Sequence, residues 1–181
     1  MRIAFAGQSR SGKDTAIDYL MTLVDKPCKL HIAEGVYSTV RFMTGQQVID
    51  NKDPAMRKLL QDVASAGRTL SPDFWLRKLE EEIYQVTYQG CKELFITGIR
   101  YPNEVNRLRE LGFRVIYIWR NLGNRLDEGA SHIEHHSETS ISTNDFPDED
   151  IIINNGTLEE FKAVLRERVL NDKIRVSTAP V

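Results

Sequence analysis

The chain has 181 residues, of which 41% are apolar and 28% charged, with a formal net charge of -2. That length fits one domain, or one domain with a small insert, and can bury a core without staples. The charge balance argues against a broad basic surface for nucleic acid and against an anionic membrane surface. Two cysteines, Cys28 and Cys91, read as reduced and structural in a reducing compartment. No apolar run approaches the ~20 residues that span a bilayer. The first apolar strand follows Met1 too closely for a signal peptide, so a cytoplasmic location is expected.

Ile3 to Ala6 is a short apolar run closed by Gly7 and reads as a buried strand. Ile17, Leu20, Met21 and Val24 then recur at helical spacing up to Pro27. Cys28 to Ile32 suits a second short strand. Glu34 to Met43 reads as a helix with Gly45 as its stop. Asp53-Pro54 is a helix start, a cap followed by Pro at the first helical position, and Ser71-Pro72-Asp73 repeats the signal. Leu94 to Thr97 is a further buried strand, Pro102 to Leu111 a helix stopped by Gly112, and Val115 to Trp119 the most apolar strand. Residues 120–148 are polar without a clean period and read as an excursion from the core. Ile151 to Ile153 form a last strand, and Thr157 with Glu160 caps a helix over 158–171. Strands alternating with helices predict an α/β fold, a parallel sheet covered on both faces. Ligands of such sheets bind at the carboxyl ends of the strands, which places Gly7, Gly98 and Arg120 near one rim.

The segment Gly7-Gln8-Ser9-Arg10-Ser11-Gly12-Lys13-Asp14-Thr15 matches G-x-x-x-x-G-K, then departs from the usual pattern at Asp14. Glycines let the backbone wrap phosphate oxygens with its N–H groups inward, and the following helix adds the positive end of its dipole. Lys13 brings a full charge to a transferring phosphoryl group. Gly7, Arg10, Ser11, Gly12, Lys13, Asp14 and Thr15 are therefore the candidate ATP site, with Asp14 or Thr15 able to hold Mg²⁺. Gly-x4-Gly alone arises about once by chance in a chain of this size. The lysine, the strand before it and the helix after it give the motif its specificity against a plain glycine turn.

With its Gly-Lys-Asp step, the run Ser11 to Thr15 resembles the P-loop of bacteriophage-type deoxynucleoside monophosphate kinases. Further segments match that family in order: Leu59-Leu60-Gln61 through Gly67-Arg68; Pro72-Asp73-Phe74-Trp75; Ile99-Arg100-Tyr101-Pro102-Asn103-Glu104; His136-Ser137-Glu138; and Asn155-Gly156-Thr157-Leu158-Glu159-Glu160. The resemblance covers nearly the whole chain, and Arg100 to Glu104 is its most specific part. It implies a three-layer P-loop kinase fold with a five-stranded parallel sheet. The implied core is 1–33 and 91–172, with a monophosphate-binding helical region at about 34–90 and a lid at about 120–148. It implies ATP and Mg²⁺ as cofactors and a deoxynucleoside monophosphate as substrate, with no stable nucleic acid partner and no membrane. A homodimer is allowed, and the location becomes the host cytoplasm for a phage-encoded chain. Gly98 stands where family members commonly carry an acidic residue after the third major strand, and Asp14 is the residue able to compensate.

Phosphoryl transfer needs positive charge around the moving group, and the planar fork of Arg suits phosphate. Arg100 and Arg120 follow strand ends, and with Lys13 and the lid's Arg125 they are the candidate catalytic residues. Arg68, Asp73, Trp75, Arg100 and Glu138 are the candidate acceptor-binding residues. The competing readings are a solvated surface role for each arginine and a core role for Trp75. His132, Glu134, His135, His136 and Glu138 form a polar cluster. The readings there are a lid contact through His136 or Glu138 and plain solvated polarity, both ahead of zinc. The acceptor phosphate is itself the nucleophile, so no serine or cysteine nucleophile is sought. Two alternatives remain. One is a P-loop kinase with another acceptor, either dephospho-coenzyme A or a hydroxymethyl base in DNA. The other is a nucleotide-binding module without turnover.

Overall fold

The computed structural model describes residues 1–45, 53–121 and 140–170. Five strands, β1 (Arg2–Ala6), β2 (Pro27–His31), β3 (Glu93–Ile99), β4 (Arg114–Trp119) and β5 (Ile151–Ile153), form one sheet in the order β2-β3-β1-β4-β5. The sheet is parallel: Ile3 pairs with Phe95 and Arg114, and Trp119 with Ile153. The helices are α1 (Lys13–Met21), α2 (Glu34–Thr44), α3 (Pro54–Leu70), α4 (Phe74–Tyr88), α5 (Pro102–Glu110) and α6 (Leu158–Leu165). This is the expected three-layer α/β P-loop kinase fold. The chain divides into two compact units, one built from residues up to Lys29 and from Lys92 on, the other Leu30–Cys91.

In the first unit the central strands β1, β3 and β4 are buried on both faces, which is why they read as nearly unbroken apolar runs. Phe5, Ile17, Leu20, Phe95, Ile116 and Ile152 centre its core, with Phe161 and Leu165 of α6 packed in. The second unit is helical. Val40 of α2 and Met56 of α3 form its small core with Tyr37, Leu59, Leu60 and Val63 around them. Asp53 caps α3, its Oδ1 accepting from the Ala55 amide at 3.1 Å, with Pro54 at the first helical position.

Several expectations shift. Helix α1 stops at Met21, so Val24 falls outside it, and the turn before β2 uses Lys26 at a φ of 48°. Helix α4 starts at Phe74, two residues after Pro72, because Ser71 closes a turn by accepting from the Phe74 amide at 3.0 Å. Helix α6 gives way after Leu165 to a π turn, Arg166–Leu170. The closing part of the expected excursion packs onto the first unit. Ile141 and Phe146 are buried, Phe146 lying 5.2 Å from the Tyr117 ring and under the Arg109 guanidinium. The rest of that excursion, 122–139, lies outside the described residues, and with it Arg125, Glu138 and the histidine cluster.

The cysteines are the clearest correction. No cysteine is free among the described residues; Cys28 and Cys91 are both disulfide-bonded. Sixty-odd residues of separation hid this. The Lys92 amide donates to the Lys26 carbonyl at 3.1 Å, which brings the segment before β3 beside the start of β2.

Candidate active site

The carboxyl ends of β1, β3, β4 and β5 share one edge of the sheet, because Ala6 pairs with Ile99 and Tyr117, and Trp119 with Ile153. Residues 7–15, Arg100, Arg120 and Asn154 leave the strands at that edge.

The loop after β1 turns through three left-handed residues, Gly7 (φ 135°), Arg10 (φ 62°) and Gly12 (φ 106°). Such alternation turns successive amides toward one concave side, the geometry that holds anions. Gly7 is required for space as well as conformation: a Cβ there would lie 2.3 Å from the Ile118 carbonyl oxygen of β4. The Ser11 amide closes the turn on the Gln8 carbonyl at 3.2 Å, and α1 begins as the Ala16 amide donates to the Gly12 carbonyl at 2.9 Å. The Lys13 ammonium folds back over the loop, donating to the Gly7 carbonyl at 2.9 Å and the Gln8 carbonyl at 2.6 Å. Ser11 is 1% exposed and its Oγ has no hydrogen-bond partner among the described residues, which singles out the loop as a place that expects polar company.

Asp14, in the first turn of α1, pairs with Lys29 of β2 at 3.0 Å, and Lys29 also holds Asp18 at 3.0 Å. Partial burial works against the Lys29 ammonium, but the hydrogen bonds and charges of the two aspartates outweigh it and raise its pKa above the ordinary value. Thr15 is exposed beside Asp14. Lys29 carried no sequence signal; only the placement of β2 brings it to α1.

Gly98 proves to be a bulge. Between the pairs Ala4–Ile96 and Ala6–Ile99, β3 carries one residue more than β1, and Gly98 takes a φ of 87°. A side chain is disfavoured in that conformation, so the position expected just past the strand is an internal kink that re-aims Ile99 and Arg100. Arg100 itself is exposed. Its amide and that of Tyr101 donate to Glu104 Oε2 at 2.7 and 3.1 Å, and Glu104 is buried. Glu104 therefore sets the backbone from which Arg100 projects. Arg120 is half-buried directly after β4. The neighbouring Asn121 amide donates to Asn155 Oδ1 at 2.8 Å, which ties the end of β4 to the loop after β5.

In the helical unit, Arg68 is half-buried in the last turn of α3 and Asp73 is exposed at the start of α4. Trp75 is 6% exposed, and its Nε1 donates to the Ala64 carbonyl at 2.9 Å. Its ring fills the space left by two glycines, since a Cβ on Gly35 would lie 3.0 Å and one on Gly67 2.6 Å from ring carbons. It also walls a cavity of about 330 Å³ with Gly35, Ser38, Phe74, Lys78 and Glu82. Burial, with Glu34 and Glu81 nearby, pushes the Glu82 carboxyl above its ordinary pKa.

The family model for deoxynucleotide monophosphate kinase matches residues 28–165, most of the chain. The chain belongs to the deoxynucleotide monophosphate kinase family. Two proteins of Ictalurid herpesvirus 1 (strain Auburn), both described as uncharacterized, are similar to this member. ORF77 is 32% identical over 161 residues, covering 88% of this chain and 66% of the relative; ORF76 is 34% identical over 165 residues, covering 91% and 65%. The chain thus spans just under two thirds of the length of these curated relatives. A crystal structure of an unliganded sugar kinase from Janibacter sp. HTCC2649 superposes with a TM-score of 0.50 at 16% identity over 92% of both chains, a likeness of fold. The family is one of nucleotide kinases. Its matched span begins after residues 7–15, so the phosphate loop and the family match are separate observations. No described helix is long and apolar enough to cross a membrane.

Proposed function

We propose that the chain transfers the γ-phosphoryl group of ATP to the phosphate of a deoxynucleoside monophosphate, giving the diphosphate. The observation that carries this is the left-handed, glycine-bounded loop 7–15, buried at its back and open at its face, in a chain of this family. The loop suits a triphosphate: its alternating left-handed residues are those of an anion-binding nest, and glycines at 7 and 12 allow that conformation. Mg²⁺ bound with few protein ligands takes carboxylate or hydroxyl oxygens alongside phosphates, and Asp14 and Thr15 supply that donor set. Magnesium ATP supplies the phosphoryl group and neutralises part of its charge.

The protein's own work is positioning and charge. The amides of 7–15 hold the donor phosphates. Lys13 leaves the Gly7 and Gln8 carbonyls and moves onto the transferring group. Arg100 and Arg120, at the sheet edge, take the charge that develops on its equatorial oxygens, and Arg125 joins them. Arg68 and Asp73 bind the acceptor, Trp75 shapes its base pocket, and Glu138 closes over it. Excluding water then suppresses hydrolysis.

The test is a product assay with ATP, Mg²⁺ and each deoxy- and ribonucleoside monophosphate, with Lys13→Met as the blank. Diphosphate formation from at least one deoxynucleotide, lost by about a hundred- to a thousandfold in the blank, is expected. Nucleotide-induced thermal stabilisation without product from any monophosphate would overturn the reading.

A further inference from the structure

We infer that Asn154 is a positioning residue for the phosphate loop, fixing the direction in which the Ser11–Gly12 peptide presents its N–H. The inference rests on the reading of residues 7–15 as a phosphate site and adds the element that orients it.

Asn154 follows β5 and is 6% exposed. Its backbone is pinned, the amide donating to the Trp119 carbonyl at 2.8 Å at the end of β4. Its side-chain Nδ2 donates to the Ser11 carbonyl at 2.8 Å in a fully buried bond between residues 143 positions apart. The amide also lies flat against the loop: a Cβ on Gly12 would sit 2.5 Å from Nδ2. A buried residue whose backbone is held by the end of β4 and whose side chain is held by the loop after β1 is not a solvated polar residue.

Geometry gives the bond its consequence. The peptide unit is planar and trans, so its C=O and N–H point in opposite directions, and no cis bond occurs among the described residues. Asn154 draws the Ser11 carbonyl toward the interior. The Gly12 N–H on the same plane therefore points outward, as the loop needs if it is to meet an anion. Gly12 has no Cβ to resist rotation about its own φ and ψ. A flip of this peptide would turn a donor toward phosphate into an acceptor. With Asn154 in place a flip also strands a buried amide and a buried carbonyl, which is costly.

The test uses the intact chain and two variants. Asn154→Ala removes the donor. Asn154→Asp is nearly isosteric and sets a carboxylate against the Ser11 carbonyl at neutral pH, while its protonated form can donate an O–H in place of the N–H. ATP and deoxynucleoside monophosphate affinities are measured separately by calorimetry, and circular dichroism melts confirm folding. We expect Asn154→Ala to weaken ATP about tenfold or more, with monophosphate affinity changed less than about twofold. We expect the Asp variant to be equally weak at pH 8 and to recover as pH falls, over a range in which the wild type is flat. Unchanged ATP affinity in both folded variants, equal loss of both ligands, or no pH-dependent recovery would overturn the inference. A ligand-free readout separates this from failure of the phosphate reading itself. The Gly12 amide resonance should move in both variants and titrate only in the Asp variant. If the wild type binds no triphosphate, the phosphate reading fails, and that resonance still decides whether Asn154 orients the peptide.

Discussion

The phosphate loop and the helical unit are held by opposite means. Around residues 7–15 the constraints act on the backbone itself: Gly7 beneath the Ile118 carbonyl, the Ser11 amide on the Gln8 carbonyl, and the Asn154 side chain on the Ser11 carbonyl. In the Leu30–Cys91 unit the constraint is one large ring. Trp75 fills the gaps at Gly35 and Gly67, and polar side chains line the cavity beside it. Backbone contacts fix amide directions to a fraction of an ångström, which suits a group as invariant as phosphate. Packing about a ring fixes shape more loosely, which suits recognition of a base.

The contrast breaks most visibly at glycines. Gly7→Ala forces a Cβ against a carbonyl that cannot move without breaking the sheet, in a left-handed conformation besides. It should destabilise the first unit by about 3 kcal/mol or more and abolish ATP binding; a denaturant melt with ATP calorimetry checks both, and a variant binding ATP normally would undo the account of the loop. Next, Arg100→Ala should lower kcat about a hundredfold while the Kd for ATP stays within about threefold, as expected for a charge that acts on the transferring group. Retained turnover with several monophosphates would show that Arg100 is misassigned.

The same change in the other region should be milder. Gly67→Ala presses on the Trp75 ring, 2.6 Å from the added carbon, and a ring can shift where a strand carbonyl cannot. A loss of about 1–3 kcal/mol in thermal stability is expected, with ATP affinity unchanged; a loss matching that of Gly7→Ala would erase the distinction. Smaller still, Lys29→Met leaves Asp14 and Asp18 without their cation. ATP affinity should drop about two- to fivefold at low salt and recover toward wild type at high salt, read by titration at two ionic strengths.

The smallest effect concerns Glu82. Its folded pKa is raised, mainly by burial, so the native state binds a proton more readily than the unfolded chain. Stability therefore falls as pH rises from the ordinary carboxylate range through the raised value. Glu82→Gln should add about a few tenths of a kcal/mol at pH 7, modest because the group is only half-buried and solvent screens it, and the gain should vanish near pH 4. Melts of both proteins across that range decide it; a constant difference would assign the effect to packing.

Much of the architecture was legible along the chain. The strands β1, β3, β4 and β5, the end of α2 and the start of α3 stand close to where apolar runs, Gly45 and Asp53-Pro54 put them, because strand burial and helix capping are local matters. The loop 7–15 was readable for the same reason: its glycines, lysine and flanking elements lie within a dozen residues. Long-range partners were not. Nothing beside Ser11 announces Asn154, nothing beside Asp14 announces Lys29, and Gly98 looked like a missing acid until its pairing with β1 showed a bulge. The disulfide-bonded state of Cys28 and Cys91 was likewise read wrongly from composition.

What the sequence determined by itself was the kind of element at most places and the candidate phosphate loop, since both are read from neighbours a few residues away. Only the tertiary structure decided which way that loop's peptides face and which charges meet it. Those contacts join residues far apart in the chain, and the order of strands in the sheet is what brings them within hydrogen-bonding distance.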